Sequence, residues 1–217
     1  MPSRPLLTFL LAFCLLTASA QSNKILQLKD FILEDVNGKP YNLSNLKGKI
    51  VYVDCWFPAC APCRGEMPWE DLLIRRTKQL GLDTSVVFVT ICFKQNRKEW
   101  LDALKNIPVP GSVHLYAANG KYMKDLVIDE SFPTYRIFNK KGELDKADCP
   151  VPSETGQVDF ILFAQSRNTG IKNAVKIVKS NTNLSAIQHP LWKEFWKNFE
   201  PHAQTFFTEA NKLSSGK

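Results

Sequence analysis

Apolar residues along this chain fall into two patterns. Short β-branched runs bounded by Gly, Asn, Lys or Pro read as strands, and longer stretches with an apolar residue every three or four positions read as helices. Residues 24 to 36 contain alternating apolar positions, and Asn37-Gly38 then signals a hairpin. Lys39 to Leu46 reads as the second strand of that hairpin. Ile50 to Asp54 is a strand ended by an acid. Val86 to Cys92 is a continuous apolar run, as expected for a strand covered on both faces. Val113 to Ala117, Thr134 to Phe138 and Glu143 to Lys146 complete the expected strands. Helices are expected over Ala61 to Leu80, ended by Gly81, over Asn96 to Ile107 with Asn96 as N-cap, and over Glu154 to Gln165, with a short one in Gly120 to Val127. Pro68 inside the first of these predicts a kink. Helices alternating with strands, and a closing hairpin, predict an α/β sandwich with a mixed sheet.

From about Thr169 the pattern turns wholly helical. Ile171, Ala174, Val175 and Val178 share a face. Pro190 opens a stretch with Leu191, Trp192, Phe195, Trp196 and Phe199 at helical spacing. The favoured reading is an aromatic face that covers the core. A membrane-surface or partner contact is the alternative, with Lys193 and Lys197 beside the aromatics. The tail from Ser214 to Lys217 is expected to be disordered. The pattern divides the chain into a leader over 1–20, an α/β domain over 21–168 and a helical extension over 169–217.

Composition changes this picture at the N-terminus. Arg4, the apolar run Leu6 to Leu16 and Ala18-Ser19-Ala20 read as a cleaved secretory signal, which predicts a mature chain from Gln21 and an exported, periplasmic protein. Lipidation of Cys14 is disfavoured by the bulky Phe13 before it. The formal charge of +7, or +6 without Arg4, comes from dispersed lysines and reads as a solvated basic surface. An exported chain without a basic-aromatic motif is not expected to bind nucleic acid. Of six cysteines, five lie beyond the leader: Cys55, Cys60, Cys63, Cys92 and Cys149. That odd, sparse count fits one redox pair with bystanders rather than a disulfide-stapled scaffold.

The pair is Cys60-Ala61-Pro62-Cys63, at the turn between the Ile50 strand and the helix after it. Two thiols three positions apart at a helix start can close a small disulfide. The first lies over unpaired N–H groups that favour its thiolate and draw its pKa toward roughly 3.5–7.5. A structural disulfide, or half of a zinc site, is the bland alternative, although the other cysteines lack paired metal spacing.

FILEDVNGKPYNLSNLKGKIVYVDCWFPACAPCRGEMP, residues 31 to 68, resembles the thioredoxin-like thiol–disulfide oxidoreductases of the bacterial envelope, the TlpA/ResA type related to redoxins. It has their hairpin, their Leu-x-Gly-Lys approach to the central strand and their Trp-x-x-x-Cys-x-x-Cys-x-x-Glu-x-Pro site. Phe132-Pro133-Thr134 stands where the family has its cis-proline loop. The resemblance spans roughly residues 25 to 165 and implies a thioredoxin-like three-layer sandwich with a hairpin extension. It departs at Ala59, at Ala61 and in the stiff Phe57-Pro58 approach, all of which flank the thiols.

The resemblance implies roles. Cys60 attacks a substrate disulfide, and Cys63 resolves the mixed disulfide. Asp54, at the place of thioredoxin's buried acid, and Glu66, one turn past Cys63, are candidates for handling its proton. The bland readings are a strand-end hydrogen bond for Asp54 and dipole complementation for Glu66. Pro133 in cis, with Phe132, would present backbone to an extended substrate, and Trp56 would pack beneath the site. The redox-active disulfide is the only cofactor expected, and no metal. Implied partners are disulfide-containing exported proteins, a haem-site dithiol of cytochrome c maturation among them, and an upstream membrane thiol donor. Two rivals remain. A thiol peroxidase would want Thr or Ser three residues before its cysteine, where this chain has Phe57. A copper chaperone would add a His or Met near the thiols, and none is evident close by in the sequence. His114, His189 and His202 read as isolated surface or packing residues.

Overall fold

The computed structural model describes residues 25–106, 109–145, 147, 149–180 and 189–215. The expected leader, its cleavage site and the start at Gln21 lie outside the described residues, as do Ile107, Lys146, Gly216 and Lys217.

Asn37-Gly38 does turn a hairpin. β1 (Ile32–Glu34) pairs antiparallel with β2 (Pro40–Asn42). Asp35 Oδ1 accepts from the N–H groups of Asn37 and Lys39, both at 2.8 Å, and Gly38 takes the positive φ of +77° that the turn needs. The second strand is shorter than expected. The Asn42 side chain accepts from Ser44 N at 2.8 Å and caps a 3-10 helix over Leu43–Leu46, so extended structure stops at Asn42 rather than Leu46.

β3 (Ile50–Trp56) is buried at all seven positions. It runs past the expected end at Asp54 because Cys55 and Trp56 still pair with β4 (Val86–Cys92), and Cys55 also with Thr134. α1 (Ala61–Gln79) follows, and the chain leaves it through Gly81 at φ +68°. The helix continues through Pro68. The missing N–H leaves the Arg64 carbonyl without a helical donor, and Pro68 is exposed, so water can take that place. α2 (Arg97–Asn106) begins where expected, with Asn96 Oδ1 accepting from Glu99 N at 2.9 Å. β5 (Ser112–Tyr116), the single turn α3 (Met123–Leu126) and β6 (Thr134–Phe138) come next.

The expected strand from Glu143 to Lys146 reduces, among the described residues, to isolated bridges of Glu143 to Gln27 and Leu144 to Phe138. The Asn139 side chain, accepting from Lys141 N and Glu143 N, keeps this stretch a turn. α4 (Gln157–Ser166) starts three residues later than expected. Asp159 reaches back to Gly156 N at 2.8 Å and sets its first turn. α5 (Ile171–Ser180) and α6 (Pro190–Ser214) close the chain, and α6 carries Ser214, where disorder was expected.

The sheet order is β2-β1-β5-β4-β3-β6, with β3, β4 and β5 parallel and β6 antiparallel to β3. This is the mixed sheet expected. One face carries Val51, Val53, Cys55, Val89, Ile91 and Leu115 over the N-terminal segment and α3. The opposite face carries Tyr52, Asp54 and Trp56 of β3 beneath α1 and α4. α6 seals that side: Phe195, Phe199 and Phe206 are fully buried, and Phe195 packs on Phe160 and Phe163 of α4 at 5.3 and 5.6 Å. This is the core-covering role expected of its aromatic face. Trp196 and Phe207 remain exposed. No helix among the described residues is long and apolar enough to cross a membrane.

α1 and α4 are joined by a buried charge pair, Arg76 Nε to Asp159 Oδ1 at 2.8 Å, with both side chains wholly inaccessible. Removing one partner of such a pair leaves the other charge buried alone. Arg76→Ala should therefore lose roughly 3–5 kcal/mol of unfolding free energy, measured by urea titration. A loss as small as that of an exposed pair would show that Asp159 finds another partner.

Candidate active site

The site begins where β3 ends. The strand delivers Trp56 to the rim of the sheet, and Phe57 to Ala59 lead into α1, which has Cys60 as its N-cap. Cys60 and Cys63 form a disulfide with S–S 2.01 Å and Cα–Cα 5.3 Å. The Cys60 sulfur also accepts from Cys63 N at 3.2 Å. It thus occupies the place of a capping oxygen, among the helix N–H groups that favour negative charge. Cys60 retains 5% exposure and Cys63 none, while Ala59, Ala61 and Pro62 are exposed around them. The outer sulfur is therefore the one within a partner's reach.

Phe132 comes to the site from 72 residues further along the chain than Cys60, and the Phe132–Pro133 peptide is cis. Its ring meets Phe57 edge to face at 5.1 Å, and Lys94 Nζ lies 4.7 Å from the Phe132 centroid and 5.7 Å from that of Phe57. This gives the site an aromatic wall with a cationic edge. Trp56, fully buried, packs in one cluster with Cys60, Cys63, Met67, Cys92 and Trp100. Its indole N–H has no partner among the described residues. Met67 brings a thioether close to the two sulfurs, contrary to the expectation that no Met or His lay nearby. The signal was its place four residues after Cys63, on the same helical face.

The two predicted acids have different surroundings. Glu66 is half-buried, and each of its oxygens has a donor: Ser153 N at 3.0 Å and Ser153 Oγ at 2.8 Å. Asp54 is fully buried on β3, and neither of its oxygens meets a donor among the described residues. Burial, and then the neighbouring Glu70, hold its carboxyl well above the usual carboxylate range.

Sequence reasoning missed Glu70. It is 1% exposed, on the α1 stripe that also holds Cys63, Glu66 and Met67. Ser112 Oγ donates to its Oε1 at 3.1 Å, while Oε2 has no donor among the described residues. Burial pushes its pKa up to about 7, against the lowering effect of Ser112 and Asp54. The signal available was spacing: Glu70 is Cys63 plus seven, two helical turns on. An acid on an apolar helix stripe needs a buried partner.

The remaining thiols are buried. Burial raises Cys92 to about 12 and pushes Cys55 and Cys149 up as well, so all three stay protonated at neutral pH. Cys55 faces the opposite side of the sheet, as expected of a small core residue. Cys149 lies in the cluster around Tyr52 and Tyr135. The histidines serve locally: His114 Nδ1 pairs with Thr90 Oγ1 at 2.8 Å, His189 caps α6, and His202 stacks on Phe206.

Comparison with known proteins follows the same lines. The redoxin family profile matches residues 21–161. The thiol–disulfide oxidoreductase ResA of Bacillus subtilis is 40% identical over 60 residues, which is 28% of this chain and 34% of that protein. The chain thus matches about a third of this relative's length. A Bacteroides vulgatus protein assigned as a thiol–disulfide oxidoreductase, solved in solution, is similar in structure with TM-score 0.50 and 27% identity, over 59% of this chain and 82% of that one. A crystal structure from the same organism, assigned likewise, has TM-score 0.51 and 23% identity over 62% and 93%, a likeness of fold.

The raised carboxyls make stability depend on pH. Glu70 holds its proton from its ordinary 4.5 up to about 7 in the folded protein. Across that window the folded state binds more protons than the unfolded one, so stability falls as pH rises. Thermal melts from pH 4.5 to 7 should show Tm declining in the wild type and declining less in Glu70→Gln. Equal slopes would mean that Glu70 is already ionised below that window.

Proposed function

The chain belongs to the redoxin family, and from that membership we propose that it is an exported thiol–disulfide oxidoreductase, which reduces or exchanges disulfides in periplasmic proteins through Cys60 and Cys63. The observation that carries this reading is the disulfide itself, closed over the N-terminus of α1 with Cys60 outermost. Cys60 is the nucleophile. Its thiolate, favoured by the helix N–H groups, attacks a substrate sulfur and forms a mixed disulfide. Cys63, shielded from water, is the resolving thiol. It displaces the substrate and closes the Cys60–Cys63 bond. The protein needs no other cofactor for this, and a membrane thiol donor returns the pair to its reduced form.

Pro133 and Phe132 bind the substrate. The cis-proline offers a carbonyl-bearing backbone with no N–H, against which an extended chain can lie, and the Phe57–Phe132 wall beside it accepts an apolar side chain. Trp56 supports the disulfide from beneath. For the proton of Cys63, Asp54 is better suited than Glu66. Asp54 has no donor among the described residues and is free to take a proton, whereas both oxygens of Glu66 are engaged by Ser153. Export is supported by the leader pattern in residues 1–20, and residues 21–168 form the redox domain in this reading. Dithiols at haem-attachment sites belong to the same substrate class. Against a thiol peroxidase stands Phe57, at the position where that chemistry wants a hydroxyl.

The test is reduction of a model disulfide protein with a thiol donor in excess. The wild type should turn over, Cys60→Ser should be inert, and Cys63→Ser should accumulate a mixed disulfide through Cys60. Absence of turnover, with both variants indistinguishable from wild type, would overturn the reading. Stoichiometric Cu(I) binding without exchange would replace it with a copper-binding role.

A further inference from the structure

Two carboxyl groups meet in the dry layer between α1 and the sheet. Asp54 comes from β3 and Glu70 from α1, and each is at least 99% inaccessible. Together they have three oxygens with no donor among the described residues: both of Asp54 and Oε2 of Glu70. The fourth takes the Ser112 hydroxyl. Two carboxylates have no donor to offer each other, so facing oxygens of this kind are satisfied only if a proton lies between them.

The pair sits one layer beneath the disulfide. Asp54 and Trp56 are alternate residues of β3 on one face, about 7 Å apart, and Trp56 packs in the cluster that holds both sulfurs. On α1, Cys63, Met67 and Glu70 follow one another down the same buried stripe. Glu66, on that stripe as well, is committed to Ser153 through both oxygens.

We propose that Glu70 and Asp54 form a proton-sharing carboxyl pair that takes up the Cys63 proton during disulfide exchange and returns it on re-reduction. This rests on the exchange reading above and adds Glu70 to it as a positioning residue, acting through Asp54. In the mixed disulfide, Cys60 is bonded to a substrate sulfur. The Cys63 thiol gives its proton to the pair, which passes from one proton to two. The Cys63 thiolate attacks the Cys60 sulfur, the Cys60–Cys63 bond forms, and the Cys60–substrate bond breaks. The substrate sulfur leaves with the bonding electrons and takes a proton from water. Two electrons have then moved from the two cysteines to the substrate disulfide. When the thiol donor later opens Cys60–Cys63, the pair's second proton goes back to Cys63.

The neighbours favour a shared proton. Glu66 and Asp71 of α1 are acids that disfavour a second negative charge, on Asp54 and on Glu70 respectively. Tyr52 of β3, Tyr135 of β6 and the Cys149 thiol are buried and neutral. Thr90 of β4 and His114 of β5, in one register row with Asp54, bond to each other. Such a pair titrates as a unit, its two steps set apart by the repulsion between two buried negative charges.

The test uses the full chain and two readouts. The carboxyl C=O infrared band of a protonated acid should persist at about pH 9 in the wild type, because the pair keeps one proton after its first ionisation. It should vanish in Glu70→Gln and in Asp54→Asn and remain in Glu66→Gln. In rapid mixing of the pre-reduced protein with a model disulfide, resolution of the mixed disulfide at neutral pH should slow by at least roughly tenfold in either variant, within the range of general acid–base catalysis. The double variant should be no slower than the worse single one, since both act as one unit. If Glu70→Gln does not fold, Asp54→Asn carries the same two readouts. Exchange by the wild type with an unaltered band and an unaltered resolution rate in Glu70→Gln would overturn the pair alone. No exchange by the wild type would overturn the oxidoreductase reading and the pair's role with it.

Discussion

Everything at the site depends on one strand, β3, buried along its whole length and turning within four residues into α1. A strand with neighbours on both sides and cover on both faces has no freedom of register. Its inward positions are therefore assigned: Tyr52, Asp54 and Trp56 on the α1 side, Val51, Val53 and Cys55 on the other. Its end is assigned too, so the first turn of α1, and the sulfur that caps it, stand at a fixed place on the rim.

That rigidity carries a cost, because it buries an acid. Asp54 would ionise in water, and here it has no donor among the described residues and is shut off from solvent. The fold answers with a second acid rather than a base. Glu70 and Asp54 avoid two buried charges by sharing a proton, whereas Arg76, further along α1, and Asp159 of α4 solve the same difficulty by pairing opposite charges. The two arrangements have different consequences. The ion pair only joins α1 to α4, while the carboxyl pair keeps a titrating group near neutrality beneath a disulfide.

The helices after the sheet complete the dry layer. α4 lies on the sheet beside α1, and α6 covers both with Phe195, Phe199 and Phe206. In this way the C-terminal helices, outside the matched family region, cover the core on the side of α1 and α4.

Local chemistry was enough for much of this. The turn at Asn37-Gly38, the cap at Asn96, the strands Val86–Cys92 and Thr134–Phe138 and the redox pair Cys60–Cys63 are written in neighbouring residues, and their physics is short-range: backbone preference, caps, and periodicity against a core. Where the sequence alone misled, a side chain bonded to nearby backbone outweighed strand propensity, as Asn42 and Asn139 do. Glu70 was illegible for another reason. Its partners, Asp54 and Ser112, come from different strands, 16 residues before it and 42 after it. An acid's pKa depends on what desolvates it and what it faces, and both are settled only when helix and sheet close on each other. The sequence by itself determined which chemistry the chain can carry. The tertiary structure decided which acid lies bare beneath the thiols and which is tied down, because burial and donors are properties of the packed layer and not of any segment within it.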